Sequence, residues 1–109
     1  MIDKNTFKIS ILIPCYNEKN TIILVVENVR KSLKKNKFDN YELIIVDDYS
    51  SDGTREILKQ LENQQDVKII YHDFNQGKGG AIQTAITSAT GEVTLIQDAD
   101  LEYDPNDYP

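Results

Sequence analysis

Apolar and polar positions alternate between two spacings along this chain, and each change of spacing marks an element. "FKISILI" (Phe7–Ile13) is a short isoleucine-rich run, the pattern of a strand buried on both faces. From Thr21 to about Lys35 the apolar residues Ile22, Val25, Val26, Val29 and Leu33 recur at helical spacing. "YELIIV" (Tyr41–Val46) reads as a second buried strand, and beyond "DDYSSDG" a short helix carries Ile57, Leu58 and Leu61 on one face. "VKIIY" (Val67–Tyr71) is a third strand. Past "NQGKGG", a third helix is lined by Ala81, Ile82, Ala85, Ile86 and Ala89 and closed by Gly91. "EVTLIQ" (Glu92–Gln97) is the fourth strand. The order βαβαβαβ predicts an α/β fold, a Rossmann-like, open and mainly parallel sheet with helices on both faces and strand order 3-2-1-4.

Length and composition narrow the class. At 109 residues the chain is one domain or part of one, and 39% hydrophobic with 28% charged residues suits a globular protein rather than a disordered one. A net charge of −6 with no basic surface argues against nucleic acid as the partner. The one basic cluster, "RKSLKKNK", falls late in the first helix, where it suits the helix dipole. A lone Cys15 excludes an internal disulfide, and with a single histidine, His72, no zinc-binding pattern remains; both are read as structural. "MIDKNTFKISILIP" has no long apolar stretch, and no run approaches the ~18 residues of a membrane span. The expectation is a cytoplasmic protein that meets a membrane only through parts outside these residues. The abrupt stop after "DPNDYP" would leave an open sheet edge, so the chain is expected to be the N-terminal part of a longer domain.

In open α/β sheets the ligand sits beyond the carboxyl ends of the strands, where strand order reverses. Three loops converge there: "PCYNEKN", "DDYSSDG" and "DADLEYD". The last carries Asp98, Asp100, Glu102 and Asp104 at every second position. Residues two apart on an extended segment point the same way, so Asp98, Asp100 and Glu102 can lean toward one hard cation, Mg²⁺ or Mn²⁺, that grips a diphosphate. A solvated acidic loop turned by Asp104-Pro105 is the alternative for that pattern alone. "DDYSSDG" fails as a calcium loop, because position twelve counted from Asp48 is Lys59. It also fails as a phosphoacceptor site, which needs its acid pair after the first strand. Ser51 or Asp52 suits a helix N-cap, while Asp48 is assigned to a nucleobase or ribose. Tyr16 can lie against a base, with Asn17 and Glu18 as polar contacts. In "NQGKGGA" a helix opens on glycines, which suits an anion; Lys78 there either reaches a phosphate or pairs with an acid.

Taken together, "ILIPCYNE", "IIVDDYSSDGT", "NQGKGGA", "ATGEV" and "QDADLEYDP" in this order make the chain resemble glycosyltransferase family 2, closest to the polyprenyl-phosphate sugar transferases. The resemblance implies the nucleotide-sugar-binding part (residues 1–109) of an A-type glycosyltransferase fold. By position it assigns Pro14, Tyr16, Glu18, Val46 and Asp48 to the nucleotide. It makes Asp98, Ala99 and Asp100 the D-x-D that holds the nucleotide-sugar diphosphate through Mg²⁺ or Mn²⁺, with Asp100 as catalytic member and Glu102 as a further metal ligand. The implied reaction is an inverting transfer of a hexose from a nucleotide-diphosphate sugar to a polyprenyl phosphate. A saccharide acceptor, or a non-catalytic nucleotide-binding module, is the alternative. Tyr49 departs from the glycine common at its position, and is expected to narrow the base or ribose pocket.

Overall fold

A computed structural model describes residues 7–99 of the chain. The elements follow in the order β1 (Ile9–Cys15), α1 (Ile22–Lys35), β2 (Tyr41–Asp47), α2 (Thr54–Leu61), β3 (Val67–Tyr71), α3 (Gly77–Ser88) and β4 (Val93–Ile96). The strands form one sheet in the order β3-β2-β1-β4, and all three pairings are parallel. Register sets Pro14 beside Val46 and Cys15 beside Asp47, so β1 and β2 end at the same level.

Strand parity distributes the side chains between two cores. On one face Ile9, Ile11, Ile13 and Cys15 of β1 and Leu43 and Ile45 of β2 meet Ile22, Val25, Val26, Val29 and Leu33 of α1 and Leu58 and Leu61 of α2. On the other, Leu12, Ile44 and Val46 meet Ala81 and Ala85 of α3. Each fully buried Leu, Ile or Val side chain contributes about 1.5–3 kcal/mol relative to exposure, so the first face carries most of the stability.

Several elements depart in detail from the expectations. α3 begins at Gly77, ahead of its apolar residues, and rests on the sheet through its alanines; Ile86 is exposed. Alanine lets the helix approach closely, and a flank residue such as Ile86 then falls beyond the sheet. Gly91 does not cap α3, whose C-cap is Ala89. A Cβ on Gly91 would lie 2.7 Å from Ser10 Oγ and 2.8 Å from Ser10 N, so glycine is there to let the chain pass against β1. The N-cap of α2 is Gly53 rather than Ser51 or Asp52. Asp52 nonetheless accepts the Thr54 N–H at 3.0 Å, giving that orphan donor its partner from one residue further back.

Candidate functional site

The loops after β1 and β2 are laced together before any ligand is considered. Asn17 takes a left-handed backbone (φ 53°), tolerated by asparagine, and its side-chain Oδ1 accepts the Ser51 N–H at 2.8 Å. Ser50 Oγ accepts the Asn17 N–H at 2.9 Å, and Thr54 Oγ1 accepts that of Glu18 at 3.0 Å. The loop after β4 is tied in by Thr21, whose hydroxyl lies 2.8 Å from Ala99 O and 3.0 Å from Glu18 Oε2. Asn17 thereby braces the two loops through its Oδ1 and its backbone N–H.

Between these loops and the start of α3 lies a cleft of about 300 Å³, walled by Pro14, Cys15, Tyr16, Glu18, Asp48, Asn75, Gly77, Lys78, Ala81, Asp98 and Ala99. Pro14, Tyr16, Glu18, Asp48, Lys78, Asp98 and Ala99, singled out in the sequence, thus meet in one place. Val46 does not: its side chain is fully buried against α3, on the same face as Asp48 but one step deeper in the strand. The assignments of Asp100 and Glu102 fall outside the described residues.

The pair Asp47-Asp48 divides by strand parity. Asp47 is fully buried and turns toward α2, where its Oδ2 lies 2.7 Å from Arg55 Nε and accepts the Ser50 N–H at 3.1 Å. Its Oδ1 is the one buried side-chain polar atom without a hydrogen bond among the described residues. Asp48, 3% exposed, turns the other way. Its Oδ1 accepts the Gln76 N–H at 2.7 Å and sits 2.9 Å from His72 Nδ1. The anion at the start of α3 is therefore the protein's own carboxylate, which satisfies an orphan N–H and lies at the positive end of the helix dipole. His72, read from the sequence as a lone structural residue, is 5% exposed and has company at both ring nitrogens.

Tyr49 is not among the residues that wall the cleft. Its backbone is left-handed (φ 69°), which accounts physically for a glycine preference at this position. Its ring faces the Arg55 guanidinium at 5.3 Å, while Tyr71 faces the same group at 5.4 Å. Arg55, which nothing in the sequence reading singled out, also donates to His72 O and so ties α2 to the end of β3. Burial and the adjacent Asp47, Glu18 and Asp52 push the Cys15 thiol up, so it stays protonated and is no nucleophile.

Lys78 and Asp98 face each other across the mouth at 2.5 Å, with side chains 61% and 47% exposed. Of the two partners expected for Lys78, the acid is the one it holds here. Asp98 offers an accessible carboxylate of the hard-oxygen type that suits Mg²⁺ or Mn²⁺. No three metal-ligating side chains converge among the described residues.

The family model described as glycosyl transferase family 2 matches residues 10–109. An undecaprenyl-phosphate 4-deoxy-4-formamido-L-arabinose transferase of Proteus mirabilis is 36% identical over 104 residues, covering 94% of this chain and 32% of that protein. A dolichol-phosphate mannosyltransferase of Pyrococcus furiosus is 32% identical over 102 residues, covering 94% of this chain and 28% of that protein. The chain therefore spans about a third of the length of these relatives. Among solved structures, the mannosyltransferase PcManGT from Pyrobaculum calidifontis, in complex with GDP-Man and Mn²⁺, superposes with a TM-score of 0.72 at 30% identity, covering 84% of this chain and 27% of that one.

Proposed function

The chain belongs to glycosyl transferase family 2, and from that premise we propose that its cleft binds the nucleoside diphosphate of a sugar donor, within a longer enzyme that transfers the sugar to a polyprenyl phosphate. Residues 1–109 are then the nucleotide-sugar-binding part of that enzyme. The observation that carries the reading is the convergence of Pro14, Tyr16, Glu18, Asp48, Lys78, Asp98 and Ala99 on one cleft at the carboxyl ends of β1, β2 and β4. The names of the two curated relatives support a lipid-phosphate acceptor.

In this reading Tyr16, half-exposed on the cleft wall, stacks on the base. Asp48 accepts hydrogen bonds from base or ribose. Pro14 and Glu18 border the nucleoside, and Ala99 keeps the wall narrow beside the diphosphate. Lys78 exchanges Asp98 for a phosphate oxygen, a cheap exchange because the existing pair is exposed and worth at most about 1 kcal/mol. Asp98, with Asp100 and Glu102, would hold Mg²⁺ or Mn²⁺, which would supply positive charge beside the donor diphosphate. Transfer is a single displacement: an acceptor phosphate oxygen bonds to the anomeric carbon from the face opposite the leaving group, and the bond electrons leave with the nucleoside diphosphate. The acceptor is already anionic, so positioning replaces general-base help.

The test is a transfer assay on the full-length enzyme with radiolabelled UDP-, GDP- and CDP-linked sugars. A polyprenyl phosphate in detergent is offered beside an oligosaccharide. Label in the lipid phase supports the reading. Label in the saccharide moves the enzyme to polysaccharide assembly, and nucleotide binding without transfer to either makes it a binding module.

A further inference from the structure

His72 is the first residue after β3, and three elements meet at its ring. Nδ1 lies 2.9 Å from Oδ1 of Asp48, at the end of β2, and Nε2 lies 2.8 Å from Oγ1 of Thr84 in α3. The backbone is pinned as well: His72 N donates to Asp47 O at 2.8 Å, and His72 O accepts from Arg55. Thr84 has one hydroxyl proton and two acceptors in reach, His72 Nε2 and Gly80 O at 3.0 Å. If the proton goes to Nε2, the ring is neutral and Nδ1 carries its hydrogen. If it goes to Gly80, Nε2–H donates to Thr84, and Nδ1 must again carry a hydrogen to face a carboxylate. With Asp48 a carboxylate, either arrangement points an Nδ1–H at it.

A buried carboxylate with one donor can still turn about its last torsion; two donors on the same oxygen stop it. Gln76 N and His72 Nδ1 both land on Oδ1 of Asp48. That leaves Oδ2 for the cleft that Asp48 lines. We propose that His72 is a positioning residue of the nucleotide site: its Nδ1–H, steadied by Thr84, locks Asp48 so that Oδ2 faces the bound nucleoside. This inference rests on the nucleotide-site reading of the cleft.

The test uses the full-length protein and the tightest-binding of UDP, GDP and CDP. Asparagine presents a side-chain N–H close to where histidine has Nδ1, but leaves the Thr84 side empty. His72→Ala is therefore expected to weaken affinity by roughly 10–100-fold, the worth of a hydrogen bond to a charged group. His72→Asn is expected to recover most of that loss while its melting temperature stays as low as that of His72→Ala. A purely structural trio predicts the opposite, with affinity in both variants following stability or not moving at all, and either outcome overturns the proposal. His72→Ala added to Asp48→Asn should cost little more than Asp48→Asn alone. If Asp48→Asn binds as well as the wild type, the nucleotide-site reading fails first and the proposal falls with it. A wild-type loss at Asp48 with none at His72→Ala overturns the positioning role alone. ¹⁵N resonances of the His72 imidazole, assigned through its backbone connectivities, read the hydrogen directly on the folded wild type. Protonated Nδ1 is expected, and a neutral ring protonated only at Nε2 would refute the proposal even if the variants fail to fold.

Discussion

The two ends of the sheet use carboxylates in opposite ways. At the amino ends of the strands, Glu42 Oε2 accepts from Ser10 Oγ at 2.6 Å, from Thr90 N at 2.7 Å and from Thr90 Oγ1 at 3.0 Å, and Lys8 and Lys68 flank it. Nearby Asp66 binds Arg30 through Nε at 2.8 Å and NH2 at 2.7 Å, and the Tyr41 hydroxyl at 2.8 Å. Burial alone would raise both acids, but these donors outweigh it and hold each below its ordinary value. At the carboxyl ends, Asp48 has both its donors on one oxygen, and Asp98 is held across an exposed pair by Lys78. Acids that meet only the fold's own donors fasten the sheet. Asp48 and Asp98 line the open cleft, where a ligand can reach them.

The first way to break this comparison is through Asp47, which shares a strand end with the cleft but turns to the opposite face. Asp47→Ala should cost stability, about 3 kcal/mol, by stripping Arg55 of its partner. That is the low end for a buried pair, because Arg55 is partly exposed. Nucleotide affinity per folded molecule should hold, as calorimetry beside thermal unfolding will show; a lost affinity at full stability would mean that strand face does not divide the roles. Gly91→Ala, at the amino ends of the strands, should destabilise by about 1–3 kcal/mol, since the neighbour it meets is β1 backbone. Denaturant titration measures it.

Acid sharpens the contrast further. Glu42 and Asp66 are lowered in the folded state, so as pH falls the unfolded chain takes up protons first. Their stabilisation is complete above the ordinary carboxylate range, near pH ~4–5, and is lost progressively as pH drops through and below it. Melting temperature against pH should fall on the acid side. Glu42→Gln and Asp66→Asn should each flatten that slope, whereas an unchanged slope would remove these acids from the account. The smallest effect is expected at the cleft mouth: Lys78→Ala should shift stability by no more than about 1 kcal/mol, because its pair with Asp98 is solvent-screened.

The strand order and the meeting of three loops were legible because apolar spacing reports local geometry and the parallel βα alternation leaves few topologies. Asp48 and Asp98 followed, since position at a strand end was enough to bring them to the cleft. Lys78, in the first turn of α3, was legible only as the partner of a phosphate or an acid. What was not legible depends on neighbours remote in sequence. The Arg55 link between Asp47 and His72 O, and the His72 contact with Asp48 across 24 residues, exist only once β3 and α2 are docked. Val46 shows how one step along a strand matters: it shares a face with Asp48, but α3 covers it and the cleft opens above. The left-handed backbone at Tyr49 had no local signal either, because tyrosine does not advertise a positive φ.

The role proposed for the cleft-lining acids at the carboxyl end is to serve a nucleoside diphosphate. Calorimetric titration of the folded protein with GDP, UDP and CDP, each with Mn²⁺ and then with EDTA, tests it most directly, with Asp98→Asn set beside Asp66→Asn. One nucleotide is expected to bind, more weakly with EDTA, and to be lost in Asp98→Asn but kept in Asp66→Asn. Equal binding by wild type and Asp98→Asn, or a loss that follows Asp66 instead, would rule out a nucleotide site at the cleft.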